Sequence, residues 1–155
     1  MSKFDIRKAE KKDSALILDF IKELAEYEQL LEHSVGVLAD IENTLFGIKP
    51  MAEVIIIQDA ESPIGFALFF HNYSTFLCRD GIYIEDIYVR EQYRGMKYGK
   101  ALLDYICDIA RQRHCKHVQL LCLKQNQSAI DFYLKSGAIP MSEWIGFHFD
   151  IHAIE

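Results

Sequence analysis

The stretch "QYRGMKYGKALL", residues 92–103, decides the fold because it places two glycines around the point where a predicted strand at 81–89 is followed by helix periodicity from about 97 to 112. The N–H groups at a helix N-terminus lack intrahelical partners, and the helix dipole there favours anions. Glycines before such a helix let the backbone approach a phosphate closely. "RGMKYG" (94–99) is therefore a candidate anion-binding loop, although an ordinary strand–helix turn with basic surface residues fits the spacing equally well.

Two common phosphate-binding loops do not match this stretch. A P-loop ends in Gly-Lys-Ser/Thr, and this loop does not. The glycine spacing also differs from the dinucleotide-binding fingerprint, and no strand with a terminal acid follows at the usual distance.

Upstream of the loop, the chain alternates between strand and helix patterns. "KFDIRKA" is a predicted first strand, and Asp13 is a candidate N-cap for a helix that runs to about Leu31. A second, weaker helix covers about 38–46. The predicted buried face of the first helix is formed by Leu16, Phe20, Ile21 and Leu24. Two antiparallel strands follow at 52–59 and 63–73.

Downstream of the loop, "HVQLLCL" (117–123) is a predicted buried strand. "NQSAIDFYLKSG" (126–137) is a predicted helix with caps at Asn126 and Gly137, and "AIPMSEWIGFHFDIH" (138–152) gives the last predicted strands. The order β-α-α-β-β-β-α-β-α-β predicts an α/β fold around a mixed sheet. A length of 155 residues predicts a single domain over 1–155.

Composition limits the class of protein. Hydrophobic residues make up 50% and charged residues 26%, which is typical of a soluble globular protein. We find no signal-peptide pattern, and the longest apolar runs are too short to cross a bilayer, so we expect a cytoplasmic protein without a membrane partner. The net charge of −6 argues against nucleic acid as the main partner and fits a cationic small molecule.

The cysteines do not form a recognisable framework. Cys78, Cys107, Cys115 and Cys122 include no CxxC pair, so we expect reduced thiols. "HCKH" (114–117) could suggest a metal site, but it lies where a helix ends and a strand begins, with no second ligand pair nearby in sequence. An exposed polar turn is the favoured interpretation, and no metal is predicted.

Three motifs over about residues 82–138 resemble those of the GCN5-related N-acetyltransferases, the GNAT superfamily. "IEDIYVREQYRG" precedes the loop, and "NQSAIDFYLKSGA" follows it. The loop is similar to the family's pyrophosphate motif, Arg/Gln-x-x-Gly-x-Gly/Ala, with Lys97 in place of the middle glycine. The resemblance implies the GNAT fold, with a mixed, mostly antiparallel central sheet flanked by helices.

The same resemblance implies that acetyl-CoA is the co-substrate. Its pyrophosphate would lie on Arg94, Gly95, Met96, Lys97, Tyr98, Gly99 and Lys100. Its pantetheine arm would pair with the backbone of Ile87, Tyr88 and Val89. Its far side would contact Asn126, Ser128 and Ala129.

Acetylation of an amine requires a base, because alkylamines have pKa values of roughly 10 and are protonated at neutral pH. Side chains alternate along a strand, so Glu85 and Asp86 should face opposite sides unless a bulge intervenes. An edge position, or a salt bridge to Arg79 or Arg94, is the structural alternative for this acidic pair.

The resemblance implies that Glu85 is the base, often through water, and that Asp86 binds the amine. It implies that Tyr133 is the general acid, although a tyrosine packed in the core is the alternative. A backbone N–H of strand 82–89 would stabilise the oxyanion, and the resemblance points to that of Ile87.

"IKELAEYEQ" (21–29) is similar to the first helix of the diamine acetyltransferases of the spermidine/spermine and thialysine type. This implies that Tyr27, Glu28 and Glu85 line the amine site and that Glu143 adds negative charge. The alternative for Tyr27 and Glu28 is a solvated helix end. An acidic groove with an aromatic wall suits a polycation.

One segment departs from that group. In "YSTFLCRDG" (73–81), Ser74 stands where the group has an acid, and Phe76 or Leu77 where it has tryptophan. A smaller amine such as thialysine therefore remains open beside the polyamines. By analogy we expect a homodimer. Two alternatives stay open: a non-catalytic acyl-CoA-binding module, and an enzyme that acetylates protein amines.

Overall fold

Residues 4–152 are described by a computed structural model; Lys3, part of the predicted first strand, lies outside that range. The elements are β1 (Phe4–Lys8), α1 (Ser14–Tyr27), α2 (Leu38–Leu45), β2 (Glu53–Asp59), β3 (Ser62–Ser74), β4 (Arg79–Val89), α3 (Tyr98–Gln112), β5 (Val118–Leu120) and α4 (Gln127–Lys135). The chain divides into two compact units, with the boundary between Leu121 and Cys122.

The first unit contains one five-stranded sheet in the order β1-β2-β3-β4-β5. Strands β1 to β4 pair in antiparallel fashion, and β5 pairs in parallel with β4. A parallel pair requires a crossover connection, and α3 provides it between β4 and β5. The predicted α/β class and the mixed, mostly antiparallel sheet flanked by helices are confirmed.

Helices cover both faces of this sheet, because β2 and β3 carry apolar side chains on both sides. On one face, Ile55 and Ile57 pack in a core with Leu102 and Ile106 of α3. The core on the other face is formed by α1, α2 and the sheet and includes Ile17, Phe20, Ile56 and Phe66. Burying each such side chain contributes about 1.5–3 kcal/mol to stability.

An ion pair fixes the start of α1. Asp13 occupies the predicted N-cap position but makes no side-chain cap bond. Its carboxylate instead accepts two 2.8 Å hydrogen bonds from Arg7 on β1 and one from the Glu10 N–H. The Arg7 guanidinium holds the pKa of Asp13 below its usual value. At its other end α1 finishes at Tyr27, earlier than the predicted Leu31, and Gln29 beyond it has a φ of 60°.

Two predicted strands differ from the structure. The predicted strand 117–123 is shorter, because β5 covers only Val118–Leu120 and is half-buried. The prediction of strands in 138–152 is wrong: the described residues there form no strand. Alternating apolar residues form a strand only when another strand pairs with their backbone. Within residues 4–152, no strand pairs with the segment 138–152.

The predicted helix at 126–137 is confirmed as α4, which lies in the second unit. Asn126 Oδ1 accepts a 3.1 Å hydrogen bond from Ala129 N, as an N-cap does. Gly137 follows the helix with a φ of +93°, a conformation that favours glycine. None of the helices within the described range is long and apolar enough to cross a bilayer.

Candidate active site

A β-bulge in β4 organises the acidic pair. Phe69 of β3 lies opposite Ile84, and Leu68 lies opposite Asp86, so Glu85 is an extra residue on β4. A bulge leaves the extra residue outside the ladder and bends the strand. The sequence pattern predicted that Glu85 and Asp86 face opposite sides of the strand unless a bulge intervenes. The bulge is present, so the side chains do not alternate strictly at this point.

The bulge also changes which face of the sheet the later residues join. Ile82 and Ile84 pack in the core that includes α3, whereas Tyr88 packs in the core that includes α1. Asp86 lies two residues before Tyr88 and so shares the α1 face. Without the bulge, Asp86 would follow Ile84 into the α3 core.

Asp86, on the α1 side of β4, lies within electrostatic reach of two other carboxylates, those of Glu85 and Glu28. Glu85 is exposed and Asp86 is half-buried. Burial, together with the negative charges of Glu85 and Glu28, raises the pKa of Asp86 to about 7. Burial also raises the pKa of Glu28. A carboxyl group that titrates near neutral pH can take up and release protons under physiological conditions.

Of the two structural alternatives for the acidic pair, the salt bridge finds no support, whereas the edge position applies on one side, because the ladder with β5 ends at Ile84. Within residues 4–152, no ion pair joins Glu85 or Asp86 to Arg79 or Arg94. A buried carboxylate without a cationic partner is costly to ionise. A cationic ligand at this position would therefore gain a favourable ion pair with Asp86.

The C-terminal part of α1 is held beside the end of β4. Arg90, directly after β4, forms an ion pair with Glu23 of α1 at 2.8 Å. This contact places the last turn of α1, with Tyr27 and Glu28, next to the acidic pair and the glycine loop. The sequence did not predict this link, because the two residues are 67 positions apart.

Arg94 joins the end of α1 to the loop. Its guanidinium carbon lies 4.1 Å from the centroid of the Tyr27 ring and 5.7 Å from that of Tyr88. Its Nε donates a 3.0 Å hydrogen bond to the Val89 carbonyl. Tyr27 is 45% exposed, yet one ring face stacks on this cation, so it is more than a solvated helix end.

The loop has the backbone conformation expected of a glycine-rich anion cradle. Gly95 has a φ of +79°, and a Cβ built there would have no atom within 4 Å, so the space above it is open. Lys97 has a φ of +67° and occupies the N-cap position of α3. Lys97 thus holds a left-handed conformation that glycine adopts more easily, at the place where the resembled motif has glycine. The first turn of α3 presents its N–H groups there.

Other residues of the loop have structural roles as well. Tyr98 is buried against the α3 core, and the Lys100 ammonium pairs with Asp104 one turn later. Met96 is exposed. Gly99 lies in the first turn of α3. The residues named for pyrophosphate binding are therefore contiguous on one strand–helix junction.

The β4–β5 ladder is short, which leaves backbone available beyond the bulge. It joins only Ile82–Ile84 to Val118–Leu120. Among the described residues, Ile87, Tyr88 and Val89 have no β5 partner, although Val89 O already accepts from Arg94. An extended ligand with amide groups could occupy this edge. These features fit an elongated, phosphate-bearing cofactor.

The remaining predicted site residues lie in the second unit. The Asn126 side chain caps α4, Ser128 is exposed and Ala129 is half-buried. Tyr133 is half-buried on the same helix. Glu143 is exposed in a segment without regular secondary structure.

Comparison with known proteins identifies the class. The model of the acetyltransferase (GNAT) family matches residues 18–138. The chain belongs to the GNAT family and is an acetyltransferase.

Its sequence is similar to diamine-type acetyltransferases. It is 32% identical over 151 residues to the thialysine N-epsilon-acetyltransferase of Bos taurus, covering 92% of this chain and 88% of the relative. It is 32% identical over 155 residues to a spermidine/spermine N(1)-acetyltransferase-like protein 1 of Homo sapiens, covering 96% of this chain but 22% of that longer protein. An integron cassette protein from V. cholerae superposes with a TM-score of 0.80 at 21% identity, covering 97% of this chain and 93% of the other, which supports the fold alone.

Proposed function

We propose that this acetyltransferase moves an acetyl group from acetyl-CoA to the primary amine of a small cationic substrate, either a polyamine or diamine or a thialysine-like amino acid. The observation that carries the proposal is the bulge in β4, which brings Asp86 to the face where Glu85 and Glu28 act on it. A cluster of carboxylates without a cationic partner attracts an ammonium group. The similarity to a thialysine N-epsilon-acetyltransferase and to a spermidine/spermine N(1)-acetyltransferase-like protein agrees with this substrate class.

Acetyl-CoA would supply the acetyl group as an activated thioester. The N–H groups from Gly95 to Lys100 would hold its pyrophosphate, supported by the charge of Arg94. The backbone of Ile87, Tyr88 and Val89 would pair with the pantetheine arm. Asn126, Ser128 and Ala129 would contact its far side.

Glu85 would accept the proton of the amine, directly or through water. Its exposed position at the bulge suits a relay to solvent. Asp86 would bind the ammonium form of the substrate, because a nearby cation lowers the pKa of a carboxyl group and favours its charged form. Glu28, Tyr27 and Glu143 would extend the amine site.

Tyr133 would donate the proton that the departing thiolate needs, since a phenol is a weak acid with a pKa near that of a free thiol. The N–H of Ile87 would donate to the acetyl oxygen as negative charge develops on it.

The rate of acetyl transfer against pH tests these assignments. Glu85→Gln should lower kcat by at least about tenfold, in the range of general-base effects. Asp86→Asn should mainly raise KM for the amine and shift the limb of the profile that lies near pH 7. Glu91→Gln, an exposed carboxylate beyond β4, is the matched control and should leave both constants unchanged. Full activity of Glu85→Gln would contradict the base assignment.

We also propose that the enzyme is a homodimer. The segment after α4 exposes several large apolar side chains, and Phe147, for example, is 84% exposed. Contiguous exposed apolar surface is typical of an interaction site. Light scattering after size-exclusion chromatography should give twice the mass of the chain, and a monomer at all concentrations would contradict the proposal.

The two alternative functions make different predictions. A non-catalytic module would bind acetyl-CoA without releasing CoA with any amine. An enzyme for protein amines would turn over a lysine peptide faster than a diamine. The presence of both Glu85 and Tyr133 favours catalysis, and the acidic cluster favours a small polycation.

A further inference from the structure

A second cluster of chemically active side chains lies in the first unit, outside the acetyl-transfer site. His71 of β3, Asp80 of β4 and Cys115, between α3 and β5, converge there. His71 Nδ1 lies 2.8 Å from Asp80 Oδ2, and Cys115 Sγ lies 3.8 Å from the same oxygen. One ligand atom from each of the three residues lies within 4.8 Å of the others.

The backbone holds these three residues together. Asp80 and His71 lie on adjacent, paired strands. The N–H of Lys116 donates to the Asp80 carbonyl at 3.1 Å, and the Cys115 N–H donates to the Ala110 carbonyl at 2.9 Å. The convergence therefore follows from the sheet and the α3–β5 connection rather than from long, mobile side chains.

We propose that His71, Asp80 and Cys115 bind a divalent transition-metal ion of the zinc type, with a fourth coordination position open to solvent. Imidazole nitrogen, carboxylate oxygen and thiolate sulfur are the three donors that zinc uses in proteins. The carboxylate and the thiolate, which loses its proton to solvent on binding, together neutralise the two positive charges of the ion. This site goes beyond the proposed acetyl transfer.

To surround such an ion, the two distances to Asp80 change by about 0.5 Å or less, and the His71 and Cys115 ligand atoms, which lie within 4.8 Å, approach by at most about 1.3 Å. Tetrahedral bonds of about 2.0 Å to nitrogen or oxygen and about 2.3 Å to sulfur separate the ligand atoms by about 3.3 Å and about 3.5 Å. The His71–Asp80 distance would lengthen by about 0.5 Å, and the Cys115–Asp80 distance would shorten by about 0.3 Å. The His71 and Asp80 side chains are 37% and 42% exposed, so they have room to make these movements.

One neighbouring contact must change. Arg113 lies 2.9 Å from His71 Nε2 and also forms an ion pair with Glu53. When Nδ1 binds a metal, Nε2 carries a proton and can no longer accept from the guanidinium. Without Arg113, Glu53 would keep its 3.6 Å ion pair with Lys8 and have one oxygen to accept from Nε2–H, the arrangement that usually supports a metal-bound histidine.

The site differs from the one that "HCKH" suggested in the sequence. Of that run, only Cys115 belongs to the cluster. His117 Nε2 instead lies 2.9 Å from Asn72 Oδ1. The other two ligands, His71 on β3 and Asp80 on β4, are distant from Cys115 in sequence. The sequence therefore showed no second ligand pair near "HCKH", and a polar turn was the favoured interpretation.

The ion would stabilise the fold rather than take part in acetyl transfer. Asp80 and Asp86 are six positions apart on β4, which corresponds to roughly 20 Å along an extended strand. A bound ion would join β3, β4 and the α3–β5 connection, and would raise the melting temperature by mass action.

Titration of the chelator-treated 155-residue chain with Co²⁺, followed by competition with Zn²⁺, tests the proposal. We expect a thiolate-to-cobalt charge-transfer band, visible bands of tetrahedral Co²⁺ and a Zn²⁺ dissociation constant of about 10 µM or tighter. Cys115→Ser should remove the charge-transfer band, and His71→Gln should weaken Zn²⁺ binding by at least about tenfold. Cys78→Ser, at an exposed thiol, is the matched control and should change neither.

Arg113→Gln separates a metal site from a purely structural network. It should tighten Zn²⁺ binding, because it removes a nearby positive charge and frees Glu53 to support His71. Circular dichroism checks that each variant is folded; if Cys115→Ser unfolds, Asp80→Asn replaces it and should weaken Zn²⁺ binding by at least about tenfold. The proposal is overturned by a wild-type protein without the charge-transfer band, by a band that persists in Cys115→Ser, or by His114→Asn weakening binding while His71→Gln does not.

Discussion

Asp86 should make the stability of this enzyme fall as pH rises through the neutral range. Burial and the charges of Glu85 and Glu28 raise its pKa in the folded chain to about 7, against about 3.9 in an unfolded chain. The folded state therefore binds the proton more tightly than the unfolded state does between these two values. The free energy of unfolding decreases as pH rises across that window and levels off above the folded pKa.

The size of the effect follows from the two pKa values. The difference between the two pKa values of Asp86 lowers the free energy of unfolding by roughly 1.5 kcal/mol at about pH 5 and roughly 4 kcal/mol at about pH 8, a difference of about 2.5 kcal/mol. Water reaches this half-buried side chain and screens part of the cost, so we expect a change of about 1–2.5 kcal/mol.

Asp86→Asn removes the titrating group and keeps the shape of the side chain. Urea unfolding at several pH values should show the variant gaining about 1–2.5 kcal/mol relative to the wild type between about pH 5 and pH 8. Glu91→Gln is the control, because Glu91 is exposed and is not among the charges that raise the pKa of Asp86, so its loss should give a much smaller change. A constant difference between Asp86→Asn and wild type across this range would refute the reasoning.

Three further predictions concern the backbone of the site. Lys97→Gly should raise the free energy of unfolding by about 1 kcal/mol, because it removes the cost of a left-handed lysine, whereas Lys97→Ala should give no gain; equal effects in urea unfolding would contradict this. Gly95→Ala should lower the free energy of unfolding by about 1 kcal/mol, because alanine is strained at a φ of +79° even though its Cβ would meet no other atom; an unchanged stability would contradict this reasoning. Asn126→Ala should lose about 1 kcal/mol with the cap to Ala129, measured by amide hydrogen exchange in α4, whereas Asn126→Asp keeps the acceptor; equal protection in both variants would argue against the cap.

Local sequence patterns predicted the elements that depend on local interactions. The helix after the glycine loop, the paired strands at 52–59 and 63–73 and the caps of α4 are confirmed, because periodicity and capping residues act over a few positions. The GNAT resemblance is confirmed by a family match that spans both the loop and α4.

The features that depend on distant pairing could not be predicted. The bulge at Glu85 is set by the register of β4 against β3, and a one-residue change reverses the face of every later side chain. The burial of Asp86 depends on this bulge. The stack of Arg94 on Tyr27 depends on the packing of α1. The alternation in 138–152 predicted strands, yet the pattern alone supplies no partner strand.

The measurement that tests the account most directly is the release of free CoA from acetyl-CoA with a panel of amines: spermidine, spermine, putrescine, thialysine, lysine and a lysine peptide. We expect turnover with one class of small amine, and Tyr133→Phe should reduce it by at least about tenfold, or about 1.4 kcal/mol of transition-state stabilisation. Tight acetyl-CoA binding without CoA release above the blank for any small amine would contradict the account.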